Sequence, residues 1–157
     1  MTNAIPAEDI DASIIAMWQA AWTATPTAWE NVAFDPHNLN AADIGAGFQN
    51  GGPWVELRVI QQPGLGQIST ANNGTRRWRI PGQVIITAAV QAGQGKAALS
   101  QLLDEAAQVF RGHALDTSGA GHLLFFNSYA TPAANSPKDA SWYTAAAVIR
   151  FWYDYDA

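Results

Sequence analysis

Arg76, Arg77 and Arg79, with Trp78 among them, form the densest polar feature of the chain. Guanidinium groups beside an aromatic ring suit three tasks: stacking on bases, holding phosphates, or pairing with acids on a neighbouring subunit; the plainer alternative is an ordinary solvated strand. The other residues able to do chemistry do not converge. His37, His113 and His122 lie in separate segments, and none belongs to an HExxH or comparable ligand cluster. His113 falls just past a predicted helix end, where the helix dipole accounts for it. Carboxylates come as Glu8, Asp9 and Asp11, as Asp104 and Glu105, and as Asp154 and Asp156. Glycosidase-type catalysis needs two of them facing across a cleft. Here the first group suits a helix start, the second the wet side of a helix, and the third sits at the chain end. No serine sits in a GxSxG elbow. Gly93-Gln94-Gly95-Lys96 lacks the rest of a phosphate-binding loop, since Ala97 follows the lysine. No catalytic residue, metal ligand or cofactor is assigned, and the chain is expected to be non-enzymatic.

Composition points the same way. Hydrophobic residues make up 48% of the 157 and charged residues 13%, where an average soluble chain carries about 25% charged. A surface so low in charge favours association. The formal net charge is −5 and no long basic run exists, so wrapping of duplex DNA is not expected. The absence of cysteine excludes a disulfide framework, a thiol nucleophile and thiolate metal sites. The start MTNAIPAEDID is acidic and has no apolar core of signal length. No apolar run approaches the roughly 18 residues of a membrane span. A soluble product made in the cytoplasm, with no membrane partner, is expected, and residues 1–157 read as one domain.

The elements that would position the arginines follow from periodicity. Ile10, Ile14, Met17, Trp18, Ala21 and Trp22 recur at three- and four-residue spacing, an amphipathic helix that Pro26 ends. Residues 29–50 show no sustained period and read as an irregular crossing with one short strand near Val32 and Phe34. Residues 53–60 alternate, with Val55, Leu57 and Val59 on one face. Residues 61–75, rich in Gly, Asn, Gln, Ser and Thr, read as a long excursion. Residues 77–90 read as a strand interrupted or bulged near Pro81-Gly82. A second helix spans Lys96 to Arg111, with Leu99, Leu102, Leu103 and Ala106 in its stripe and Gly112 as its cap. Residues 123–130 and 142–153 are the last two strands. The expected fold class is α+β: a two-layer sandwich of a mainly antiparallel or mixed four-stranded sheet with two helices on one face.

On the last strand, Trp142 and Trp152 share parity with Arg150, the face that polar patterning turns outward. Exposed tryptophans there would fit a protein interface, where aromatics concentrate. The other reading is that helices or long loops cover them. Arg76, Arg77, Trp78, Arg79, Trp142, Arg150 and Trp152 are therefore the candidate interface residues.

This layout resembles the tail terminator proteins of long-tailed bacteriophages, also called tail completion or minor tail proteins. The resemblance rests on the helix from Ile10 to Trp22, the crossing with Pro36, the strand Trp54-Val55-Glu56-Leu57-Arg58-Val59 and the arginine-led strand from Arg77 to Val90. It continues through Gly93-Gln94-Gly95-Lys96 opening a helix that closes on Val109-Phe110-Arg111, and the strand from Trp142 to Phe151. The segment 61–75 and the alanine-rich last strand depart from the pattern. The resemblance implies a homohexameric ring on the head-proximal end of a tail tube, in the virion. Such a ring stops tube growth and offers a surface for joining the head. Its implied partners are further copies of the chain, the tail tube protein and a neck or head–tail connector protein, with DNA passing through the lumen without specific binding. The alternatives are a neck or head–tail adaptor and a monomeric nucleic-acid-binding module using Arg76 to Arg79.

Overall fold

In the computed structural model, residues 6–62, 66–70, 76–137 and 139–157 are described, residues 66–70 by backbone alone. Pro6, whose fixed φ suits a first helical turn, opens α1 (Pro6–Ala21). Next come β1 (Thr27–Trp29), a short α2 (Ala41–Gly45), β2 (Trp54–Gln61), β3 (Gly66–Thr70) and β4 (Arg76–Gln91). Then follow α3 (Lys96–Ala107), β5 (Ala114–Asp116), β6 (His122–Ala130), the two-residue β7 (Ala134–Asn135) and β8 (Trp142–Asp156).

The strands join in one sheet of order β1-β2-β4-β8-β6-β5, with β3 beside β4 and β7 beside β8. The expected two-layer sandwich of a four-stranded sheet with two helices on one face is overturned. Among the described residues, an eight-stranded sheet curls into an open half-barrel accompanied by three helices. Two physical features act toward the curl. Right-handed twist accumulates along β4 and β8, which pair without a break from Arg77↔Asp156 to Gln91↔Trp142. A register shift between Phe125 and Ser128 bends β6 against β8.

Several smaller expectations fall as well. The early short strand lies at Thr27–Trp29, parallel to β2, whereas Val32 is exposed. Part of the expected excursion 61–75 is β3; residues 63–65 and 71–75 lie outside the described residues. The second helix stops at Ala107, and turns continue to Gly112, whose φ of 75° is a left-handed conformation that glycine accepts readily. No interruption occurs at Pro81-Gly82. Pro81 lies where the neighbour of β4 changes from β3 to β2, and its carbonyl accepts from Gln62 N–H at 3.0 Å. A missing donor is tolerated at such a junction. Gly82 is set by crowding: a Cβ there would fall 2.4 Å from Phe151 Cζ and 2.6 Å from the Ile60 carbonyl oxygen.

One face of the sheet carries the core. Val84, Ile86 and Ala88 of β4 oppose Ile149, Ala147 and Ala145 of β8, with Val55 and Leu57 of β2 and Leu123 and Phe125 of β6 in the same cluster. The helices supply Ile10, Ile14 and Trp18 from α1 and Leu99, Leu102, Leu103 and Ala106 from α3. Complete burial of Ile10 and Ile14 stabilises the fold by about 1.5–3 kcal/mol each. Among the described residues no helix is long and apolar enough to cross a membrane.

Candidate functional site

The arginine cluster begins β4, and the last residues of β8 lie directly opposite. Cross-strand neighbours on one sheet face are close enough for their side chains to pair, so Arg77 meets Asp156 and Arg79 meets Asp154. Both pairs are two-pronged. Arg77 donates from Nε to Asp156 Oδ1 at 2.8 Å and from Nη2 to Oδ2 at 3.2 Å. Arg79 donates likewise to Asp154 at 2.7 and 2.8 Å. The hydrogen bond from Arg77 holds the Asp156 carboxyl below the usual carboxylate range, and Asp156 holds the Arg77 guanidinium above its own. Arg76 closes the ladder through its backbone, exchanging two hydrogen bonds of 2.8 Å with Ala157. Trp78 is half-buried opposite Tyr155.

Beside this ladder, the sheet face opposite the core bears an aromatic patch. The Arg79 guanidinium lies 3.8 Å from the centre of the Trp152 ring, a cation–π contact. Trp152 meets the Phe126 ring edge-on at 4.7 Å and is 38% exposed. Tyr129, 52% exposed, lies one residue along β6 from Ser128, with the Arg150 guanidinium 6.0 Å from its ring centre. The structure thus brings Arg79, Arg150 and Trp152 to one outer region, next to the Arg77 and Arg76 end of the strand.

Trp142 is elsewhere. It shares the outer face with Trp152 but is 2% exposed, because the crossing between β1 and β2 folds over it. His37 packs on its ring at 5.2 Å, Trp54 meets it edge-on at 5.8 Å, and Phe34 packs against Trp54 at 5.3 Å. Gln91 Nε2 fastens this cover to the Gly51 carbonyl at 2.7 Å, and His37 Nε2 lies 3.4 Å from Asp139 Oδ2. Hydrogen bonds from Ser141, first its backbone N–H, and then His37 keep the Asp139 carboxyl below its usual range. The indole N–H groups of Trp54 and Trp142 are buried with no acceptor among the described residues, a cost of about 1–3 kcal/mol each.

One polar cluster escaped the sequence reading. Asp9, expected only as a helix-start acid, is 3% exposed. Its Oδ2 accepts from Tyr153 Oη at 2.6 Å and from Thr117 Oγ1, and its Oδ1 from Gly119 N–H at 3.0 Å. Burial, then the bond to Asp9, pushes the Tyr153 pKa well above the tyrosine range. The cluster ties α1 to the β5–β6 turn and β8. Two glycines permit it, since a Cβ would fall 2.6 Å from Asp9 Cγ at Gly119 and 2.2 Å from the Tyr153 ring at Gly121. The Gly119-Ala120-Gly121 run was the available signal, but nothing in the sequence joins it to Asp9.

The histidines stay apart. His122 Nδ1 lies 2.7 Å from Asp116 Oδ1, on the rim of a cleft of about 320 Å³ shared with Arg77, Asp154 and Asp156. A histidine beside a carboxylate can be oriented as a base, but the cleft's Thr117 hydroxyl is committed to Asp9 and the other two acids to arginines. Among the described residues no group of three or more His, Cys, Asp or Glu could hold a metal ion. Gly93 and Gly95, with φ of 92° and 89°, turn the chain into α3.

No protein-family model matches the chain, and no curated protein matches it. Among solved structures, it is similar to a protein whose designation states no activity. The TM-score is 0.56 and the identity 13%, over 98% of this chain and 96% of the other. Likeness at that identity shows a shared fold alone.

Proposed function

We propose that this protein is a non-enzymatic ring subunit that caps the head-proximal end of a phage tail tube, ends tube growth and provides the surface on which head and tail join. Its partners are further copies of itself in a hexamer, the tube protein and a neck or connector protein, and DNA passes through the lumen without specific contact. The observation that carries the reading is the uncovered outer face at the β6–β8 end. There Trp152 is 38% and Tyr129 52% exposed, side by side with Phe126 and Arg150. Adjacent aromatics and an arginine at a surface are what the centre of a protein interface is made of. A ring needs a head-to-tail contact that closes by rotation.

The paired state of Arg77 and Arg79 supports this reading over nucleic-acid binding. A phosphate would have to displace Asp156 and Asp154, which lie in the same ladder. Size-exclusion chromatography with light scattering tests the proposal. A discrete hexamer is expected, and Trp152→Asp combined with Tyr129→Asp should reduce it to a folded monomer. A protein that stays monomeric at every concentration, and also fails to halt tube-subunit polymerisation, overturns it.

A further inference from the structure

Apart from that patch, Trp18, Trp22, Trp29, Phe48 and Pro26 line a groove of about 460 Å³ between α1, β1 and α2, with Asp43 at its wall. The volume is that of a small-ligand site. Two of its rings have no polar edge to offer. Trp18 donates its indole N–H to Thr27 Oγ1 at 3.0 Å, and Trp22 donates to Thr25 Oγ1 at 3.1 Å. Trp18 is stacked between Trp22 at 4.9 Å and Phe110 at 5.9 Å, so Trp22 and Trp29, both half-buried, are the rings with surface left to give. The lining contains no Lys, Arg or His, and the Asp43 carboxylate makes no ion pair with any described residue. Its backbone N–H is held by Asn40 Oδ1 at 2.8 Å, which fixes the residue at the start of α2.

Aromatic faces attract cations through their quadrupole, and a nearby carboxylate adds to the attraction. A bare ammonium would leave the apolar wall wet, whereas the methylenes of a long basic side chain would cover it. We infer that this groove is a binding site for a cationic side chain, the guanidinium or ammonium head of an arginine or lysine presented by a protein partner. The inference does not depend on the ring reading: it rests on the composition of the groove and the unpaired carboxylate.

The test uses the whole chain with isotope-labelled indole N–H groups, titrated with a blocked Gly-Arg-Gly peptide, the same peptide with neutral citrulline for arginine, and tetramethylammonium. The expected result is saturable shifts of the Trp22 and Trp29 signals with the arginine peptide. The citrulline peptide and tetramethylammonium should each bind about tenfold more weakly. Asp43→Asn should weaken the arginine peptide at least about threefold and leave the citrulline peptide unchanged. Equal binding of the arginine and citrulline peptides, or shifts confined to Trp152, would overturn the site. Tetramethylammonium binding as tightly as the arginine peptide would overturn its assignment to a side chain. Trp29→Leu, with far-ultraviolet dichroism confirming the fold, should abolish the response; an undiminished response overturns the assignment.

Discussion

Trp142 and Trp152 stand on the same strand and the same face of the sheet, yet one is 2% exposed and the other 38%. Strand parity sent both side chains to the face opposite the core. What separates them is a distant piece of chain. The crossing lays His37 on Trp142 and Phe34 on Trp54, the β2 ring that meets Trp142 edge-on, whereas the contacts of Trp152 are with Phe126 of a neighbouring strand and the Arg79 guanidinium. Alternation along a strand decides which way a residue points, but not whether anything lies above it. The two ends consequently hold their tryptophans differently: one is packed within the chain, the other is part of an exposed aromatic patch.

The comparison is broken most directly by truncating each ring. Trp142→Ala should cost about 3–5 kcal/mol in urea unfolding, as expected for a buried aromatic. Trp152→Ala should cost about 1 kcal/mol, the scale of its contacts with Phe126 and Arg79, and, if the proposed ring forms, weaken its assembly. Similar losses at both sites would erase the distinction. Trp142→Phe sharpens it, because the smaller ring also removes a buried donor without an acceptor and should cost well under half as much as alanine.

Beneath the open end the inner face has no slack. Gly82→Ala should destabilise by about 1–3 kcal/mol, because the new methyl must displace Phe151 or the Ile60 carbonyl. Tyr153→Phe comes next, at about 1 kcal/mol for one hydrogen bond, and it has a pH signature. The folded Tyr153 keeps its proton to higher pH than the unfolded one. Its contribution is therefore full below the ordinary tyrosine pKa of about 10 and declines as pH rises above that. Equilibrium unfolding at rising alkaline pH should show a shallower decline in the phenylalanine variant. The smallest effect is expected for Arg79→Ala, about 1 kcal/mol for a part-buried pair that solvent still reaches and its ring contact. High salt should narrow the difference from the unaltered protein, and a larger, salt-independent loss would show that Arg79 packs as core.

Much of the inner face was legible in the residues. Ile10, Ile14 and Trp18 in α1, Leu99, Leu102 and Leu103 in α3, and the odd-numbered positions of β8 from Ala145 to Phe151 all announced themselves by period, because long amphipathic elements repeat their burial many times. Short strands do not. The three-residue β1 and β5 offer no period to read, and β3 has Ile68 alone among glycine, glutamine, serine and threonine. Strand order was also hidden, since it depends on β8 entering between β4 and β6, partners distant in sequence. In the candidate site, the outer position of Arg150 and Trp152 followed from parity, whereas the cover over Trp142 and the Asp9–Tyr153 bond join segments that share no local pattern.

The place of β8 bears on how the molecule comes into being. It joins the half made of β1, β2 and β4 to the half made of β6 and β5, and it is the last of these strands to leave the ribosome. Without β8, β4 and β6 would each leave an open hydrogen-bonding edge, a state prone to wrong pairings. Folding should accordingly be slow, as pairings across long stretches of sequence are, and a chain stopped before residue 142 should aggregate instead of accumulating as a smaller folded piece.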